Sequence, residues 1–251
     1  MFAVSLRKEM LEQWRSRRLL IVVVVFVLFG LASPLLAKMT PEFFRLLPQG
    51  DQIARLLPPP TLSDAVAQYL KNLFQFGVLL AILLAMGAVS QEKERGTAAL
   101  ILVKPMSRGA FLMGKFAAIG TSFLIATVLA GAGAYYYTVL LFRAPPLGGW
   151  IALNLLLLLV CLVYVALTLW FSALARSQVT AAVAGFGAML VLSLAGSLPA
   201  IGTHLPHELI NWGSRLVLGG SKPAWTALLS ALVLIAAPLA LGWLSLSRQE
   251  F

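Results

Sequence analysis

The chain has 251 residues, of which 60% are hydrophobic and 11% charged, and its net charge is +10. A soluble domain carries about 25% charged residues, so this chain cannot cover a water-facing surface of its size and belongs in a membrane. Its 19 Lys and Arg are scattered between long uncharged blocks and make no basic face, which excludes nucleic acid as a partner.

At the N-terminus Phe2, Leu6, Met10 and Trp14 recur every four residues, while Arg7, Lys8, Glu12 and Arg15 occupy the other faces. That spacing predicts an amphipathic helix over residues 1–18 lying in the inner membrane interface, with Arg15, Arg17 and Arg18 near lipid phosphates. The apolar run that follows is free of Asp, Glu, Lys and Arg over residues 19–37 and is long enough to cross roughly 30 Å of hydrocarbon. It is too long for the core of a secretory signal, and the acidic residues Glu9 and Glu12 precede it, so it reads as a retained span. Residues 38–71 hold Pro41, Pro48 and Pro58-Pro59-Pro60, then Thr61-Leu62-Ser63-Asp64, where Thr61 or Ser63 can cap a helix leading into a second span at 72–91. Phe43, Phe44, Leu46 and Leu47 make this loop too apolar for a free linker.

The next loop, residues 92–115, holds Glu92, Glu94, Arg95, Gly96, Thr97, Leu100, Leu102, Lys104, Pro105, Ser107 and Arg108. Gly96 can end one helix, Thr97 can start a short one that Pro105 stops, and Ser107 can cap the helix entering the third span. The short helix would be about 10 Å long and unstable alone. Leu100, Ile101, Leu102 and Val103 nearly encircle it with apolar surface, which predicts insertion into a groove on another protein, with a helix lying on the inner leaflet as the alternative. Gly109 to Lys115 fits a phosphate-loop spacing, but Phe116 stands where Ser or Thr would be needed and no strand precedes it, so no nucleotide binds there.

Further charge-free spans follow at 116–142, 150–175, 179–203 and 223–247. Gly131-Ala-Gly133-Ala in the third permits close helix approach, as at a subunit interface. Cys161 lies within the fourth and reads as a small buried hydrophobe. Residues 204–222 form a second outer loop; its His204-x-x-His207-Glu208 matches no zinc-enzyme spacing, so no metal is expected. Six spans place both termini on one side. That side carries twelve Lys and Arg against seven on the other, which makes it cytoplasmic.

Glu92-x-Glu94-x-Gly96-Thr97, an apolar turn, Lys104-Pro105-x-Ser107-Arg108 and Gly114-Lys115 at the next span together resemble the signature of type 2 ATP-binding-cassette (ABC) transporter permeases. The six spans, the N-terminal helix and the turn Ser172-Ala-Leu174-Ala-Arg-Ser177 extend the resemblance over nearly the whole chain. It implies an all-α polytopic membrane protein in a bacterial or archaeal plasma membrane. The short inner helix would be a coupling helix docked on a separate ATPase, with Glu92, Glu94, Arg95, Gly96, Thr97, Lys104, Pro105, Ser107 and Arg108 serving that contact. Two ATPase copies, a second identical or related permease and membrane lipid are the implied partners. ATP and magnesium would be bound by the ATPase, leaving no cofactor, metal or catalytic residue in this chain.

The residues support the same outcome independently. The spans carry no Asp, Glu, Lys or Arg, whereas ion-coupled transporters need ionisable groups in the membrane. The inner segments, 18 and 24 residues long, are too small to fold as a motor domain. Gln75, Ser90, Asn154, Thr168 and Thr180 are the candidate polar lining of a path for a hydrophobic or amphipathic substrate, with helix packing as the alternative for each. A second reading is an ATP-driven anchor or assembly factor acting on an extracytoplasmic partner through the outer loops without passing solute.

Overall fold

The computed structural model describes residues 2–46, 51–52, 58–94 and 107–248, with side chains from residue 6 onward. In chain order the helices are α1 (Phe2–Arg15), α2 (Arg18–Arg45), α3 (Leu62–Met86), α4 (Ser90–Glu94), α5 (Arg108–Leu141), α6 (Leu147–Leu174), α7 (Gln178–Gly196), α8 (Pro199–Gly202), α9 (His207–Leu218) and α10 (Trp225–Arg248). No strand occurs among the described residues, and six helical stretches are long and apolar enough to cross a membrane. The fold is an all-α polytopic membrane fold.

α7 stops at Gly196, short of the span read at 179–203, and the short α8 follows at Pro199. Several other helices outrun the charge-free spans, because hydrocarbon thickness limits the apolar run and not the helix. Thus α2 continues through Pro41 to Arg45, and α3 begins at Leu62, within the stretch read as loop 38–71. There the Asp64 carboxylate reaches back to accept hydrogen bonds from the Thr61 N–H and hydroxyl, both at 2.7 Å, closing the predicted start. Ser107 caps α5 as its position foretells, accepting from the Ala110 N–H at 3.2 Å.

α3 and α6 form the centre, with α2, α5, α9 and α10 around them. α7 lies at the edge, burying only Ala181 and Gly185. The two small residues let α7 approach α6, where a Cβ on Gly185 would meet the Thr168 hydroxyl at 3.0 Å. A close crossing joins α2 to α5, where a Cβ on Gly30 would lie 2.9 Å from the Ala130 carbonyl oxygen, and another joins α6 to α9, where one on Gly149 would lie 2.5 Å from the Leu216 carbonyl oxygen. The glycine pair of α5, read as permitting close helix approach, meets neighbours within this chain. Gly133 receives Leu31 of α2 and Gly131 receives Asn154 of α6, so both serve packing inside this chain. The 204–222 segment is also more than a loop. Its helix α9, capped after Leu218 by Gly219 at φ 91°, buries Leu209, Ile210, Gly213 and Val217 against α6.

The second span is broken. α3 stops at Met86, residues 87–89 form a turn, and α4 resumes at Ser90. Ser172 of α6 holds this break: its hydroxyl oxygen accepts from the Val89 and Ser90 N–H groups at 3.1 and 3.0 Å and donates to the Met86 carbonyl at 2.7 Å. Ser172 and Ser90 are fully buried, so no water can replace these bonds. Ser172→Ala is expected to cost about 1–3 kcal/mol in reversible unfolding measured in mixed micelles.

Candidate inner-loop anchorage and membrane cavity

The end of the bundle that carries both chain termini gathers α1, α4, the start of α5, and the ends of α6 and α10. Of the residues assigned to the inner loop, Arg95, Gly96, Thr97, Leu100, Leu102, Lys104 and Pro105 lie outside the described residues. Those that flank them do not simply project outward. Lys93 donates from its ammonium to the Ala173 carbonyl at the end of α6, and Arg108 donates to the Leu246 carbonyl at the end of α10. Both cations therefore sit at helix C-termini, where carbonyls lack intrahelical partners and the dipole is negative. Glu94 is exposed, whereas the Glu92 side chain is 15% exposed and pairs with Lys115 at 2.8 Å and Lys8 at 3.5 Å.

Lys115 sits in α5, so residues 109–115 are helical and form no phosphate-binding loop. Its ammonium also meets both oxygens of Glu9, at 3.1 and 3.2 Å, and lies 4.8 Å from the Phe111 ring centre. Lys8 closes the group, 3.3 Å from Glu9. Burial works against the Lys8 charge, but the carboxylates of Glu92, Glu9 and Glu12 outweigh it and raise its pKa above the ordinary lysine value. That contribution to stability is complete at neutral pH and is lost only as pH climbs through the raised value. The carboxylates of Glu9, Glu12 and Glu92 lie close together, and Lys8 and Lys115 pair with two of them, Glu9 and Glu92.

This cluster shows which way α1 faces. Glu9 and Gln13, one turn apart, are the buried pair, each 5% exposed, and α1 packs with them against α5. Leu6 and Met10 are half-buried, and Trp14 is exposed, as are Arg15 and Arg17. Phe2 lies in the helix, with its side chain outside the described atoms. Arg17 adopts φ 60°, turning the chain between α1 and α2, and Arg18 donates to Gln91 at 3.4 Å. Sequence reasoning left Glu9 and Gln13 without a role. A signal was nonetheless present: Lys115 shares its helix face with Phe111, Leu112, Ala118 and Ile119, all buried, and a charge on such a face requires a partner.

Deeper in the bundle, a cavity of about 520 Å³ opens between α3, α6, α7 and α9. Phe74, Val78 and Met189 give it apolar walls, while Lys71, Gln75 and Ser193 add polar atoms. Buried Tyr164 stands on its α6 side, and His207 packs edge-on against Phe74 at 5.4 Å. Of the five polar span residues singled out in the sequence, Gln75 alone lines this cavity. Asn154 accepts from the Tyr69 hydroxyl at 2.5 Å and donates to the Trp150 carbonyl. Ser90 belongs to the span break, Thr168 faces Gly185, and Thr180 sits beside the Ser177 cap of α7.

An apolar bundle of six span-length helices with a polar, internally anchored loop base defines a multi-pass membrane protein. The chain belongs to the ABC-2 transporter family, whose sequence profile, described as "ABC-2 family transporter protein", matches residues 3–251. It is therefore a transmembrane permease subunit of an ABC transporter, and the family implies an ABC ATPase as its partner. It is 31% identical over 222 residues to the uncharacterized transmembrane protein YxlG of Bacillus subtilis, covering 86% of this chain and 85% of that protein. It is also 30% identical over 125 residues to the probable ABC transporter permease protein NosY of Pseudomonas aeruginosa, covering 49% of this chain and 40% of that protein.

Proposed function

We propose that the chain is the permease of an ABC exporter for a hydrophobic or amphipathic substrate, driven by ATP hydrolysis in a separate ATPase docked on residues 92–115. The observation that carries this reading is the anchorage of that loop. Its flanks are tied by Glu92, Lys93 and Arg108 to α1, α5, α6 and α10, so movement of the loop is delivered to several spans at once. The cavity between α3 and α7 suits an amphipathic molecule, with an apolar body against Phe74, Val78 and Met189 and a polar end toward Lys71. In this reading both termini are cytoplasmic, the membrane is a bacterial or archaeal plasma membrane, two permeases pair with two ATPases, and ATP and magnesium stay in the ATPase.

Purification from native membranes in mild detergent is expected to bring an ABC ATPase with the chain. The reconstituted complex is expected to move a fluorescent amphipathic dye such as a rhodamine in an ATP-dependent way. Absence of any ATPase, together with crosslinks from residues 97–108 reaching only lipid, would overturn the reading.

The mechanical alternative finds support at the opposite end, where Phe43 and Leu46 are 48% and 80% exposed and could meet an extracytoplasmic partner. It predicts an associated ATPase that no solute stimulates.

A further inference from the structure

Lys115, with a side chain 2% exposed, is held by two carboxylates from different parts of the chain. Glu9 comes from the N-terminal helix, and its side chain is 7% exposed; Glu92 comes from the base of the inner loop. Lys8 touches the same two carboxylates from the more exposed side, so each acid lies between two lysines. Buried ion clusters add little net stability compared with apolar packing, because desolvation consumes the Coulombic gain. Separating the members is costly, however, since each would be left as an uncompensated buried charge. If either α1 or α4 leaves α5, Lys115 therefore loses one of the two carboxylates that balance its buried charge.

The helix break sharpens this point. Between α3 and α4 the backbone ladder is interrupted at residues 87–89, so α3 does not by itself fix the direction of Ser90–Glu94. Ser172 holds the start of α4, and the Lys115–Glu92 pair holds its middle from α5. Through Lys115 and Lys8, that same pair reaches Glu9 and hence α1.

We propose that Glu9, Lys115 and Glu92 are positioning residues that lock the N-terminal helix to the base of the 92–115 loop, so that α1 moves with the loop as part of the coupling element. The lock itself stands on the contacts above; its role in coupling rests on the ATPase docking proposed in the preceding section. Trp14 and Leu11, 72% and 50% exposed, are then carried by a helix held through its polar face and not through its apolar stripe.

The test uses the full chain in nanodiscs, alone and with its ATPase, comparing wild type with Glu9→Gln, Lys115→Arg and the exposed control Glu42→Gln, which lies outside the cluster. In the chain alone, Glu9→Gln is expected to speed amide hydrogen exchange about tenfold in both Phe2–Arg15 and Ser90–Glu94, two segments far apart in sequence. With the ATPase, the same variant is expected to lower the maximal rate of stimulated ATP hydrolysis about tenfold, while the chain concentration for half effect changes less than about threefold. A purely structural defect would remove competent complexes and would not change exchange specifically in Ser90–Glu94. Lys115→Arg, which keeps the charge, is expected to keep exchange in the two segments linked, and Glu42→Gln is expected to behave as wild type.

Faster exchange in α1 alone, with Ser90–Glu94 unchanged, overturns the lock. Linked exchange with an unchanged maximal rate overturns its role in coupling. If wild type recruits no ATPase, the permease reading and the coupling role fail together, while exchange still decides the lock. Should Glu9→Gln not assemble, Glu9→Asp withdraws the carboxylate by one methylene and is held to the same pattern.

Discussion

Lys115→Met is expected to lower the unfolding free energy by about 3–5 kcal/mol, the range for removing one member of a buried ion cluster. The methionine fills nearly the same volume, so the loss comes from Glu9 and Glu92, left facing each other with only Lys8 at their edge. Reversible unfolding in mixed micelles reads the change directly. The exposed pair Glu42–Arg45, with side chains 59% and 52% accessible, provides the contrast: Arg45→Ala is expected to cost less than about 1 kcal/mol. A triple replacement, Glu9→Leu, Glu92→Leu and Lys115→Met, is expected to recover most of the stability, because the penalty belongs to uncompensated charge and an apolar trio has none. Loss in the single variant with recovery in the triple would separate electrostatic from packing causes.

Leu100→Asp or Leu102→Asp is expected to release the ATPase while leaving the chain inserted. Both residues lie in the apolar stretch between Thr97 and Lys104, outside the described residues. In the docking proposed above, an aspartate there would be buried against the ATPase without a counter-charge. The expected loss of affinity is at least about thirtyfold, that of a central hot-spot residue. Titration of labelled chain with the ATPase measures it, and protease accessibility of the loop in sealed vesicles reports that topology is intact. Retained affinity in both variants would exclude this turn as the docking element.

The spans were legible because a charge-free run of sufficient length has one physical use in a chain this poor in charge. Local caps were legible for a similar reason: Thr61 with Asp64, and Ser107, act within four residues of themselves. What escaped depends on distant parts of the chain. Nothing between Met86 and Ser90 announces a break, since the hydroxyl that satisfies its amides belongs to Ser172. The period of α1 suggested that its apolar stripe chooses its orientation, but the buried Lys115 draws Glu9 toward the bundle. Gly131 and Gly133 showed that close approach was needed without showing whose side chain approaches; Asn154 and Leu31 are the answers. His207 and Glu208, which in sequence suggested only a weak metal motif, begin a helix that packs on the bundle.

The turn at residues 87–89 bears on how load travels. An uninterrupted helix would carry a thrust along its own axis, from the loop straight up the second span. Here the ladder of backbone bonds is cut and Ser172 takes up the freed groups, so a thrust on Ser90–Glu94 enters α6 sideways. Lys93, joined to the carbonyl of Ala173, fastens the same two pieces one turn further on. Under the docking proposed above, a push at the loop base would therefore reach the fourth span through Ser172 and Ala173, and α5 through Lys115, and would not run up the second span alone.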